Sequence, residues 1–118
     1  MRDKLFESEA KLMDILWSSG TLPAKELSLI AAERIGWNKN TTYTVLKKLE
    51  AKGFLRRDEP GFLCTPLVSR EEMRKTETAT FINRVFGGSR KALFSALLED
   101  EALSAEEFAD LKALIEKR

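Results

Sequence analysis

The sequence predicts a mostly α-helical fold in two parts: three helices closed by a β-hairpin, then a second helical set. Three observations predict it. Apolar residues recur at helical spacing along most of the 118 residues. A tight-turn signal, Glu59-Pro60-Gly61, lies between two short β-type runs. Two capping-box patterns, Ser69-Arg70-Glu71-Glu72 and Ser104-Ala105-Glu106-Glu107, mark helix starts in the later part of the chain.

The elements follow in order. A first helix is expected from about Glu9 to Ser18, with Ser8 as N-cap and Gly20 closing it; Leu12, Ile15 and Leu16 fall on one face, with Met13 and Trp17 beside it. Thr21 and Leu22 read as a short extended link. Pro23 suits the first turn of a second helix, where a missing N–H is no loss. Leu27, Ile30, Ala31 and Ile35 supply that helix's inward stripe and Gly36 ends it. Asn38 is a good N-cap for a third helix whose inward residues are Thr42, Val45, Leu46 and Leu49, with Gly53 as its stop. Phe54 to Asp58 and Phe62 to Thr65 read as the two strands of the hairpin. Further helices are expected near Arg70–Phe86, Arg90–Leu98 and Ala105–Glu116, the first two separated by Gly87-Gly88.

In this order and at these lengths the first part describes a winged helix-turn-helix, three helices plus a β-hairpin wing. The expected division is a winged-helix DNA-binding domain over residues 1–67 and a helical dimerisation domain over residues 68–118, with Pro66 separating them. The later helices carry Met73, Phe81, Ile82, Val85, Phe86, Leu93, Phe94, Leu97, Leu98, Phe108, Leu111, Leu114 and Ile115, more apolar surface than a unit of about 50 residues can bury alone. A two-fold homodimer would cover it. Phe81, Val85, Phe86, Leu93, Leu97, Phe108, Leu111, Leu114 and Ile115 are the expected dimer interface.

Bulk properties exclude several classes. Hydrophobic residues make up 43% and charged residues 33%, a globular balance. No apolar run approaches the ~18 residues of a membrane span, and the N-terminus lacks the apolar stretch of a signal peptide, so a cytoplasmic protein is expected. The chain has no histidine and a lone cysteine, Cys64. The commonest general base and commonest metal ligand are therefore absent, and no internal disulfide can form. There is no Gly-rich phosphate loop or nucleophile elbow. No enzyme, cofactor or metal is expected.

Net charge is only +1, but its distribution is uneven. Arg34 to Arg57 holds seven basic residues against one acid, and Ala92 to the C-terminus three basic residues against seven acids. A basic middle points to a double-stranded DNA partner for the third helix. Asn40 and Thr41, in its polar first turns, suit base edges: Asn pairs bidentately with adenine, and Thr offers a hydroxyl or a methyl. Lys39, Tyr43, Lys47, Lys48 and Lys52 can reach the backbone or groove. Arg56 and Arg57 open the wing, where neighbouring residues point to opposite faces, so only one of them should face DNA directly. Each has a bland alternative: the lysines as ordinary helix surface, Tyr43 as a partly buried aromatic, Asn38 as a cap, Trp17 and Trp37 as packing residues, Cys64 as a small strand residue.

The chain resembles the penicillinase-repressor (BlaI/MecI-like) family of bacterial winged-helix transcriptional regulators. The resemblance runs from about Glu9 to Ile115. It is carried by SEAKLMDILW, PAKEL and GWNKNTTYTVLKKLEAKGFLRR, and most specifically by TPLVSREEMRK and FINRVFGGS. It implies a homodimeric repressor that binds an inverted-repeat operator, with base-reading positions on Asn40 and Thr41 and dimer contacts from the C-terminal helices. The family commonly has Lys where Asn40 stands, and an aromatic where Cys64 stands. Where β-lactam-responsive members have a protease-sensitive Asn-Phe pair, this chain has Ala96-Leu97. The C-terminal LKALIEKR lacks the cysteines of copper-responsive members. Neither mode of induction is implied, and a sensor partner stays unidentified. The competing expectation is a winged-helix protein-interaction module without specific DNA binding.

Overall fold

The structure is a computed structural model and describes residues 4–118. It contains two compact units, one ending at Met73 and the other running from Arg74 to Arg118.

In the first unit, α1 (Glu7–Ser19), α2 (Ala24–Arg34) and α3 (Lys39–Ala51) surround a core of Leu12, Met13, Leu16, Leu27, Ala31, Leu46 and Leu49, each fully buried. The inward residues expected of α3 are its four buried ones, Thr42, Val45, Leu46 and Leu49. Helical spacing sets this stripe, and burying it with the core residues of α1, α2 and the sheet drives the packing of the unit.

Three local expectations need correction. Ser8 lies inside α1 and does not cap it. The helix starts two residues earlier than expected because the Glu9 carboxylate reaches back to the Phe6 amide (2.8 Å), satisfying an otherwise orphan donor. Pro23 precedes α2 instead of occupying its first turn, with extended backbone at φ −60°, ψ 145°. With Leu22 it forms a two-residue strand, β1 (Leu22–Pro23), so the hairpin becomes a three-stranded sheet. Pro66 does not separate modules; it is the last residue of β3 and pairs with Leu55.

The sheet order is β1-β3-β2. β2 (Leu55–Asp58) and β3 (Leu63–Pro66) pair antiparallel, with Arg57 opposite Cys64 and Asp58 opposite Leu63. β1 adds to the far side of β3, with Leu22 opposite Cys64. A proline is tolerated in β1 because it sits on an edge. The exit from the wing is tied down by Leu67 N–H to the Phe54 carbonyl (2.9 Å) and by the Trp17 indole to the Val68 carbonyl (2.9 Å). Three helices closed by this sheet make a winged helix-turn-helix.

Both expected capping boxes form. Ser69 Oγ accepts from Glu72 N–H (3.0 Å) at the start of α4 (Arg70–Phe86), and Ser104 Oγ accepts from Glu107 N–H (3.0 Å) at the start of α6 (Ala105–Glu116). α5 (Arg90–Glu99) starts on a Ser89 cap. Ile82 is buried in the second unit, but α5 and α6 contain no buried residue at all. No helix among the described residues is long and apolar enough to cross a membrane.

Candidate nucleic-acid interface

α3 is built to present one face outward. Asn38 Oδ1 accepts from Thr41 N–H (2.8 Å), so Asn38 is spent as the cap. At 100° per residue, the side opposite the buried stripe carries Asn40, Thr44 and Lys47, with Thr41 and Lys48 along one flank and Lys39 and Tyr43 along the other. Asn40, Thr41, Lys39, Lys47 and Lys48 are all exposed. The side chains of Asn40 and Thr41 make no hydrogen bond among the described residues, which leaves the amide and the hydroxyl open to an external partner. The N-terminal end of the helix dipole adds attraction for a phosphate.

Tyr43 is half-buried against the core, with the Lys39 ammonium 5.8 Å from its ring centroid. It therefore has both the packing role and an edge beside the outward face. Thr44 was missed in the sequence reading, although i+4 spacing from Asn40 was enough to place it. Its hydroxyl donates to the Asn40 carbonyl (2.8 Å), leaving its oxygen lone pairs and methyl as available chemistry.

The seven basic residues between Arg34 and Arg57 do not act as one patch. Lys52 is not the free surface cation expected of it: its ammonium lies 2.8 Å from Glu9 Oε1, and its side chain is only 17% exposed. Arg57 is turned toward α3, where Glu50 holds it at 3.0 Å. Arg56 is the outward member of the pair, as strand alternation requires, and it is bound to Asp58 (2.6 Å). Lys39, Lys47 and Lys48 have no ion-pair partner among the described residues.

Trp17 and Trp37 both pack against the core. Cys64 is fully buried and its Sγ–H donates to the Phe62 carbonyl (3.4 Å). Burial pushes its thiol up to about 11, against a partial lowering by Arg57, which makes it a poor nucleophile at neutral pH. No group of three or more His, Cys, Asp or Glu side chains placed to hold a metal ion occurs among the described residues.

In the second unit, Phe81, Val85, Phe108, Leu114 and Ile115 are exposed, while Phe86, Leu93, Leu97 and Leu111 are half-buried. Phe94 and Leu98, not among the expected interface residues, are exposed on α5. They line a groove of about 320 Å³ with Leu97, Phe108, Leu111 and Ile115. The groove leaves apolar surface open to water on two helices that bury no residue.

Residues 5–117 match the family described as Penicillinase repressor. The Penicillinase repressor of Bacillus licheniformis is 24% identical over 116 residues, covering 97% of this chain and 91% of that protein. The Methicillin resistance regulatory protein MecI of Staphylococcus aureus (strain N315) is 26% identical over 123 residues, covering 100% of both chains. The solution structure of the DNA binding domain of the repressor BlaI superimposes with a TM-score of 0.55 at 22% identity, covering 61% of this chain and 93% of that domain. The last shows a shared fold.

Proposed function

The chain belongs to the penicillinase repressor family, and from that premise we propose that it is a homodimeric transcriptional repressor that binds an inverted-repeat DNA operator. One observation carries the reading. The outward face of α3 is polar and cationic, and the side chains of Asn40, Thr41, Lys39, Lys47 and Lys48 on it are uncommitted to any intramolecular hydrogen bond or ion pair among the described residues. In this reading α3 enters the major groove with Asn40 and Thr41 against base edges, and Thr44 beside them. Lys39, Lys47 and Lys48 neutralise phosphates, fixing register without reading sequence. Tyr43 lines the edge of the groove, and Arg56 approaches the backbone from the wing only by exchanging Asp58 for a phosphate.

The dimer is the second half of the reading. Phe81, Val85, Phe86, Leu93, Leu97, Phe108, Leu111, Leu114 and Ile115, joined by Phe94 and Leu98, form its interface. The same surface on each copy gives two-fold symmetry, which places two recognition helices on two half-sites. The residue pair Ala96-Leu97 on α5 is not the family's cleavage pair, so it gives no support to derepression by that cut.

The test is a duplex enriched by the chain from a random-sequence pool. It should contain an inverted repeat, and its affinity should fall with salt. Three lysines per protomer give six phosphate contacts, which lose on the order of a thousandfold between about 50 and 200 mM salt. An enriched duplex without repeat symmetry, or an affinity indifferent to salt, contradicts the reading.

A further inference from the structure

Two of the basic residues around α3 are held in the same way, and neither is held for a ligand. Lys52, which closes α3, donates to Glu9 Oε1 (2.8 Å) and to the Lys4 carbonyl (3.1 Å), and its ammonium lies 3.8 Å from the centroid of the Phe6 ring. Arg57 on β2 is 3.0 Å from Glu50 on α3, and its guanidinium carbon lies 5.6 Å from the centroid of the Phe62 ring. Each is an ion pair with an aromatic ring against the cation. One joins the end of α3 to α1, and the other joins the last turn of α3 to the wing.

The first clasp cannot be lent to DNA. Glu9 is 1% exposed, and its second carboxylate oxygen, Oε2, is buried with no hydrogen-bond partner among the described residues. A carboxylate at that depth depends on the Lys52 ammonium and the Phe6 N–H that meet its Oε1, because leaving a buried charge without its cation is more unfavourable than a solvated phosphate contact is favourable. The second clasp is less buried, yet Arg57 is also only 17% exposed. Both side chains are further fixed by cation–π contact, which strengthens as water is excluded.

Taking the DNA-binding reading above as its basis, we propose that Lys52 and Arg57 are positioning residues that set the placement of α3 from two sides, and that neither contacts phosphate. Base reading needs α3 at a fixed depth and pitch, since hydrogen-bond geometry falls off steeply with misalignment. The two clasps supply that constraint at the end of the helix away from Asn40 and Thr41.

The signs of the charge effects separate this from a direct role. Removing an acid from a DNA-facing surface ordinarily tightens binding. With the duplex enriched by the wild-type chain as probe, Glu50→Gln should instead weaken binding roughly tenfold, the worth of one base contact. Its salt slope should stay at the wild-type value. Lys52→Met should weaken binding with an unchanged slope, and Lys52→Arg should recover most of the affinity. Lys47→Ala is the reference for a phosphate contact, with a slope shallower by about 0.9 per protomer. Glu50 is exposed, so its variant tests the proposal even if Lys52→Met fails to fold. Tighter binding with a steeper slope in Glu50→Gln, or a slope shallower by about 0.9 per protomer in Lys52→Met, overturns the assignment alone. A wild-type chain that enriches no duplex overturns the proposed function and this assignment with it.

Discussion

The indole N–H of Trp17 donates to the carbonyl of Val68 at 2.9 Å, across 51 residues of sequence. The bond fixes the segment that leaves the wing against α1, and Arg70 covers the ring from 5.8 Å while pairing with Asp14 at 2.7 Å. Trp17→Phe keeps an aromatic ring but leaves the Val68 carbonyl, on a buried residue, without its donor. Stability should fall by about 1–3 kcal/mol, read as a lower urea midpoint at unchanged slope. A midpoint equal to wild type would show that water replaces the indole.

Asn38 and Asn40 are two residues apart and should behave oppositely. Asn38→Ala removes the α3 cap and should lower stability by about 1 kcal/mol. Asn40→Ala removes no intramolecular bond of its side chain and should change stability by less than about 0.5 kcal/mol, while altering which base is preferred at one position of each half-site. Thermal unfolding and competition binding against single-base variants distinguish the two.

Alkaline pH should destabilise the first unit through Cys64. Its thiol is raised from the ordinary 9.0 to about 11, chiefly by burial. The folded state therefore holds the proton more tightly than the unfolded chain. That contribution to stability is fully present below pH 9 and is lost as pH rises toward 11. Cys64→Ala should flatten this limb of the stability curve, and denaturation measured from pH 8 to 11 checks it. An alkaline limb of equal depth in the variant would assign it elsewhere.

The exposed groove between α5 and α6 gives a direct test of association. Leu98→Asp and Ile115→Asp each place a charge in apolar surface that a second copy should cover. Sedimentation at micromolar concentration should show monomer for both variants and dimer for the wild type. The isolated first unit carries neither residue and should keep its fold.

Much of this was legible in the sequence, and the parts that were not share a cause. Thr42, Val45, Leu46 and Leu49 could be placed because helix period and burial agree. Ser69 and Ser104 could be placed because a capping box lies within four residues. Ser8 misled because it is the better cap by residue type, whereas α1 is capped from inside by the Glu9 carboxylate reaching the Phe6 amide. β1 was invisible because two residues, one of them proline, carry no period, and their pairing with Leu63 and Cys64 is a tertiary event. Lys52 read as surface because its partner lies 43 positions away. Of the candidate site, Asn40, Thr41 and the three lysines stood out from spacing alone; Thr44 could have, and the orientation of Arg57 toward Glu50 could not.

α5 and α6 bury no residue, and if a second copy covers them, copy number becomes a physical variable of the fold. Under the dimeric reading, the free energy that orders these helices includes a concentration term: each tenfold dilution removes about 1.4 kcal/mol from it. A cell that merely slows synthesis of this chain would then loosen the pairing of its two half-site readers as the pool falls. Occupancy of the operator would respond more steeply than in proportion, with no dedicated inducer pocket required.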